Sequence, residues 1–237
     1  MGRKKVQIIA CDTVIKEMLS FMPPGTSFRT VESGLHLRRE KLKAELQRII
    51  DETTHQAHTI ILGFGLCSMA VIGLSAENST LVIPRQDDCI GIFLGSRSRY
   101  KEELKKEPGT YFLSRGWIDA KITLVDEFNE TVKRHNREIA EKVMLAEKVM
   151  QQMLKHYVRL AFINMGHQDQ DRYLAFSRDA AKKFNLRYDE IPGTTELLQK
   201  MCDGPWDEEF LVVPPGRKIR LEDFDRSFRD KMAQASQ

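Results

Sequence analysis

Thr59-Ile60-Ile61-Leu62-Gly63-Phe64-Gly65-Leu66-Cys67 is the stretch on which the reading of this chain turns. Its first four residues form an apolar run without alternation, the mark of a strand covered on both faces in a parallel sheet. The run empties into a turn where Gly63 and Gly65 permit a tight backbone, and the turn presents a cysteine. Two more extended segments finish in the same way. Val6-Gln7-Ile8-Ile9-Ala10 runs straight into Cys11, and Thr80-Leu81-Val82-Ile83-Pro84 reaches Cys89 through Asp87-Asp88.

Outward from these strands the pattern alternates. Asp12 opens a short amphipathic helix through Val14, Met18 and Leu19 that Pro23-Pro24-Gly25 ends. Residues 26–37 read as extended, and Leu42, Leu46, Ile49 and Ile50 mark the next helix. Ile90 to Leu94 reads as a buried helical turn, and 108–121, with Tyr111, Phe112 and Trp117, as a structured loop whose aromatics pack or bind. One long helix is expected over about 127–157, with apolar residues at Phe128, Val132, Ile139, Val143, Ala146, Met150, Met153 and Tyr157 and an interface stripe over its second half. That stripe packs on the chain's own sheet or forms a homodimer contact. Strands at Leu160 to Asn164, about 186–190 and Phe210 to Val213 follow, separated by helices. The sum predicts an α/β fold with a doubly wound, mainly parallel sheet and helices on both faces. A single domain is expected over 1–221, with a charged tail over 222–237.

The composition narrows the function classes. The 37 basic and 34 acidic residues are spread along the chain, apart from Arg3-Lys4-Lys5 at its start. Such mixing lacks the concentrated basic face of a nucleic-acid binder. No apolar run approaches the roughly 20 residues that cross a bilayer, and no signal-peptide core follows the basic start. A cytoplasmic protein is expected, in which cysteines serve as thiols, ligands or nucleophiles more often than as disulfides.

In an open α/β sheet the strand ends meet along one edge, where such folds place ligands. Cys11, Cys67 and Cys89 therefore converge by topology though far apart in sequence. A helix start beside Cys11 favours its thiolate. Asp87 and Asp88 oppose a thiolate at Cys89 unless a cation is present. Three thiolates suit a zinc ion with an open position, or an iron-sulfur cluster with one site left to another ligand. Of the six histidines, His167 in Asn164-Met165-Gly166-His167 is the candidate fourth ligand, its alternative being a solvated loop residue. Cys202, at a helix end before Gly204, reads as a packing thiol. The same role is the plain alternative for each of the other three taken singly.

A cofactor-binding set of Gly63, Gly65, Arg85 and Asp88 lies around these thiols. Arg85, with Arg97 and Arg99 beyond it, can hold an anion or serve as surface charge. Gly63-x-Gly65-x-x-Ser68 follows a strand, and Asp88 stands about 20 residues on, as in a dinucleotide fingerprint. The third glycine is missing. No P-loop, nucleophile elbow or HExxH occurs, so no catalytic residue is assigned and enzyme or carrier remain open.

Several blocks together resemble a known family. Ile61-Leu62-Gly63-Phe64-Gly65-Leu66-Cys67, Leu81-Val82-Ile83-Pro84-Arg85 with Asp88-Cys89-Ile90, Leu94-Gly95-Ser96, Pro108-Gly109-Thr110-Tyr111-Phe112-Leu113 with Gly116-Trp117, and Trp206-Asp207 with Phe210-Leu211-Val212-Val213-Pro214-Pro215-Gly216 are similar to the signature blocks of domain of unknown function 1638. The resemblance runs over nearly the whole chain. It implies a setting beside corrinoid proteins and corrinoid-dependent methyltransferases, with cysteines at the positions of Cys11, Cys67 and Cys89 as the shared chemical feature. It also implies a histidine directly before the Asp-Cys pair, where this chain has Asp87.

The expectation is a protein whose three-cysteine site takes a metal or cofactor, zinc, an iron-sulfur cluster or a corrinoid, in corrinoid-linked methyl transfer or its maturation. The alternatives are an accessory module that docks a methyltransferase or corrinoid protein through the long helix and residues 108–118, and a nucleotide binder using the Gly63-Gly65 turn.

Overall fold

The structure, a computed structural model, describes residues 6–134 and 139–224. The chain folds as two compact units, Met1–Arg97 with Thr195–Gln237, and Ser98–Thr194. Each carries its own sheet, where the sequence reading expects one.

The first unit begins with β1 (Val6–Cys11), α1 (Asp12–Met18) and β2 (Ser27–Val31). A 3-10 helix at Ser33–Leu37 takes the rest of the segment expected to be extended. Next come α2 (Arg39–Thr53), β3 (Thr59–Gly63), β4 (Thr80–Pro84) and α3 (Cys89–Leu94). The sheet has strand order β2-β1-β3-β4 and then a last strand, Phe210–Val213. The first four strands are parallel, and the last runs antiparallel beside β4. Every residue of β3 is buried, as its unbroken apolar run requires. Ile9, Ile60 and Leu62 from the sheet pack with Leu42, Leu46 and Ile50 of α2. Phe224, placed in the expected tail, is buried in this same core.

α4 (Arg97–Lys106) starts at the boundary between the units. Residues 108–121, expected as a loop, form β5 (Thr110–Leu113) and α5 (Arg115–Ala120). Their aromatics serve packing: Tyr111 meets Tyr157 edge-on at 5.9 Å, and Phe112 meets Tyr100 at 5.6 Å.

The single long helix over 127–157 is not found. Its sequence supplies α6 (Leu124–Arg134) and α7 (Ile139–Met153), with 135–138 outside the described residues. The two helices pack against each other. Phe128 and Met150, expected on one long helix, share one core with Leu124 and Leu160. A periodic apolar pattern fixes which face is buried but not whether the helix doubles back.

β6 (Arg159–Asn164), α8 (Asp171–Lys183) and β7 (Arg187–Pro192) complete the second unit's parallel sheet, ordered β5-β6-β7. The chain then returns to the first unit through α9 (Glu196–Asp203) and β8, the Phe210–Val213 strand. The architecture is α/β, with a mainly parallel sheet and helices around it. No helix among the described residues is long and apolar enough to cross a membrane.

Candidate functional site

Cys11 is the last residue of β1, Cys67 lies four residues beyond β3, and Cys89 opens α3 just beyond β4. Because β1, β3 and β4 are neighbours running the same way, all three cysteines stand at one edge of the sheet. All are free thiols and partly buried.

The sulfurs interact. Cys89 donates a hydrogen bond to Cys11, and this is the largest influence on Cys11. It outweighs burial and, with the Val14 N–H and the Thr13 hydroxyl and N–H, holds Cys11 below the ordinary thiol range. Those N–H groups belong to the first turn of α1, where Cys11 is the N-cap without a regular cap hydrogen bond. Thr13 Oγ1 lies 2.9 Å from Ser33 Oγ, which supports the hydroxyl that faces Cys11.

Cys89 keeps its proton. Its proton faces Cys11, and desolvation and the charges of Cys11 and Asp88 push Cys89 upward as well. Burial, then the charges of Cys11 and Asp88, push Cys67 up to about 12. The cluster thus has one site for negative charge, at Cys11. The pull of the aspartates against Cys89, expected from sequence, is present in Asp88.

The backbone around Cys67 is unusual. Cys67, Ser68 and Met69 have φ of 40°, 56° and 63°, three successive non-glycine residues in the left-handed region. Such conformations persist only where their surroundings over-determine them. Here the Ala70 N–H donates to the Cys67 carbonyl at 3.1 Å, and the Cys67 N–H to the Asp87 carbonyl at 2.9 Å. The Leu66 N–H reaches the Gln86 carbonyl at 2.8 Å. The loop that carries Cys67 is in this way fastened to the segment that leads to Cys89.

The glycines of the turn serve close packing. A Cβ on Gly63 would lie 2.7 Å from Ala10 Cβ and from Met201 Cε, and one on Gly65, at φ +60°, would lie 2.6 Å from the Gln86 carbonyl oxygen. Residues 64–73 after β3 run through turns without a helix, so this stretch offers no helix N-terminus to a pyrophosphate.

Asp88 is the N-cap of α3, its Oδ1 accepting from the Ile90 N–H at 2.9 Å and the Gly91 N–H at 3.4 Å. Asp87 is held by Arg97 through a bidentate contact, Nε to Oδ2 at 2.9 Å. Arg85 is buried, and its guanidinium donates to the carbonyls of Phe210, at 3.1 Å, and Asp223. It ties β4 to β8 and to the 3-10 helix at Leu221–Phe224. Arg99 donates to the Pro192 carbonyl within the second unit.

His167 follows β6, which pairs with β5 and β7 and not with the strands that carry the cysteines. The single edge expected from sequence is therefore divided between two sheets. Cys202 lies on α9 and lines a cavity of about 380 Å³ with Val6, Ser27 and Ala57, at the opposite ends of the strands. Burial, then the nearby Asp203, push its thiol up to about 11.

Three sulfurs are suitable soft donors for zinc or iron. Among the described residues, however, no three His, Cys, Asp or Glu side chains are placed to hold a metal ion. Two residues of this site escaped the sequence reading. Thr13 had a local signal, a hydroxyl residue in the first turn after Cys11, whereas Gln86 had none.

Fold and site together define an α/β protein with a thiol cluster at the carboxyl edge of its larger sheet. The chain belongs to the family described as "Protein of unknown function (DUF1638)", whose model matches residues 30–202. Cys67 and Cys89 fall within that match, while Cys11 and the Trp206 to Gly216 block fall outside it. No curated protein and no solved structure matches the chain.

Proposed function

We propose that the chain acts through a thiol centre that takes up a thiophilic group, with Cys11 as the thiolate, Cys89 as its proton-bearing partner and Cys67 as the third sulfur. One observation carries this reading: three cysteines far apart in sequence meet at one sheet edge, two of them joined by a hydrogen bond. Zinc and an iron-sulfur cluster are the groups that three sulfurs suit, and the side chains would turn inward to hold either. The setting is corrinoid-linked methyl transfer or the maturation of a corrinoid protein. A bound zinc would supply the activation of a substrate thiol by lowering its pKa. The residues of the chain hold the proton balance: Thr13 and Val14 favour the charge on Cys11, and Asp88 disfavours it on its neighbours.

A second reading has its own observation. Ile139 and Met153, on one side of α7, are half or more exposed, apolar surface suited to a second copy of the chain or to a methyltransferase. In that reading the chain is an accessory module.

Elemental analysis and an absorption spectrum of protein purified without oxygen, with its mass measured by light scattering, test the two together. About one zinc per chain, or iron with matching sulfide, is expected in the wild type and in Cys202→Ser, and is expected to be lost in Cys67→Ser. Metal-free wild type after growth in zinc and iron, or unchanged content in Cys67→Ser, overturns the metal centre. Dimeric but metal-free protein supports the accessory reading.

A further inference from the structure

Within the second unit α6, α7 and the end of α8 line a cavity of about 470 Å³. Glu147, Met150, Gln151 and Leu154 follow one another at helical spacing, so α7 and the turn after it give one face to this space. Much of the wall is apolar. Phe128 and Phe184 stand edge-on with ring centres 6.3 Å apart, and Met150 and Leu154 pack with them in the core of the unit. A space of this size with apolar walls and a few polar groups is the form that small-ligand sites take.

Two charges of opposite sign line it. Lys183 holds its ammonium 3.7 Å from the centre of the Phe128 ring and 5.5 Å from that of Phe184, and Glu147 stands on α7. Among the described residues neither enters an ion pair. The place of Lys183 in the last turn of α8 suits the helix dipole, which accounts for a cation there and leaves Glu147 unexplained. An ammonium resting on a ring face still has donors to offer a carboxylate. The larger cavity beside Arg85, about 640 Å³, differs on this point. There Arg217 is paired with Asp223 and Arg220 with Glu222, while Arg85 donates to the carbonyls of Phe210 and Asp223.

We infer that the cavity of the second unit binds a free amino acid with a large apolar side chain. The ligand's carboxylate meets Lys183, its ammonium meets Glu147, and its side chain lies on Phe128, Met150 and Phe184. A zwitterion answers both charges at once. An apolar monocarboxylate would bring a second anion to Glu147, and an apolar amine a second cation to Lys183. All these residues belong to the second unit, so the site stands apart from the thiol-centre reading.

Calorimetric titration of the full chain with L-phenylalanine tests this. Its partners in the series are 3-phenylpropionate, which lacks the ammonium, phenethylamine, which lacks the carboxylate, and glycine, which lacks the side chain. L-Phenylalanine is expected to bind with a Kd below about 1 mM, and each of the other three about tenfold or more weakly, the worth of one charged contact or of the buried ring. In Lys183→Met the affinity for L-phenylalanine is expected to fall about tenfold while that for phenethylamine does not fall, and in Glu147→Gln the same loss is expected with 3-phenylpropionate unweakened. The ligand series uses unaltered protein and decides the matter even where a variant fails to fold. No binding of L-phenylalanine at about 10 mM overturns the site. Equal affinity for 3-phenylpropionate assigns the cavity to apolar carboxylates and overturns the amino acid, and equal affinity for phenethylamine overturns the role of Lys183. A lower melting temperature in Lys183→Met with unchanged affinity also overturns that role, leaving the lysine to pack at the helix end.

Discussion

Two buried polar clusters, one in each unit, are built in opposite ways. In the second unit Arg159, 4% exposed, is matched at every turn. Its guanidinium reaches Thr110 Oγ1 at 2.8 Å, Glu103 Oε2 at 3.1 Å and Asp189 Oδ2 at 3.3 Å. Burial opposes a charge on Glu103, yet Lys106 and Arg159 together hold its carboxyl below the usual range. In the first unit the Gln86 carboxamide and three thiols near the ends of β1, β3 and β4 are unmatched or mutually opposed: the carboxamide is orphaned, two thiols are held protonated and one is favoured as thiolate. The first arrangement lies at strand starts and fixes a fold. The second lies at strand ends, the edge at which parallel sheets of this class place ligands.

The largest effect expected from breaking this contrast is at Arg159. Arg159→Met leaves the Glu103 carboxylate buried with Lys106 alone, and a loss of about 3 kcal/mol is expected in urea unfolding, with the thiol reactivity of the first unit unchanged. A loss below about 1 kcal/mol would place this cluster with ordinary surface pairs and remove the contrast.

A smaller effect is expected at the strained turn. Gly65→Ala should destabilise by about 2 kcal/mol, since its Cβ meets the Gln86 carbonyl as well as adopting a positive φ. Gly25→Ala shares the positive φ, +80°, but meets nothing within 4 Å. It should cost about 1 kcal/mol, so the difference between the two variants measures the close approach at the site. Equal losses would show that the turn and Gln86 are not coupled.

The smallest effect concerns pH. Cys67 is pushed from an ordinary 9.0 up to about 12, so between these values the unfolded chain gives up its proton while the folded chain retains it. With fewer protons bound in the unfolded state, stability must fall as pH rises through this window. Melting temperatures of wild type and Cys67→Ser should therefore diverge above pH 9, the variant losing less. Parallel curves from pH 8 to 11 would remove burial as the cause of the shift.

Much of the first unit was legible because its signals are local. Thr59-Ile60-Ile61-Leu62 reads as a buried strand in any context, and Asp88 before Cys89 reads as a helix start. The convergence of Cys11, Cys67 and Cys89 was legible too, since parallel neighbours place their ends together. The second unit was read less well. The 108–121 segment hides a four-residue strand among aromatics, and the apolar positions read as one helix over about 127–157 belong to two helices that pack together. His167 could not be assigned to an edge from sequence, because strand order within one sheet and membership of two sheets give the same alternation of elements.

By itself the sequence determined the strands other than β5, the α/β class and the set of cysteines, because apolar periodicity and strand exits are encoded within a few residues. Only the tertiary structure decided that there are two sheets, that β8 runs antiparallel, that Cys89 donates to Cys11, and that Gln86 is buried without a partner. Those facts depend on which surfaces meet across long separations, and the free energy of that meeting belongs to pairs of segments that no local pattern contains.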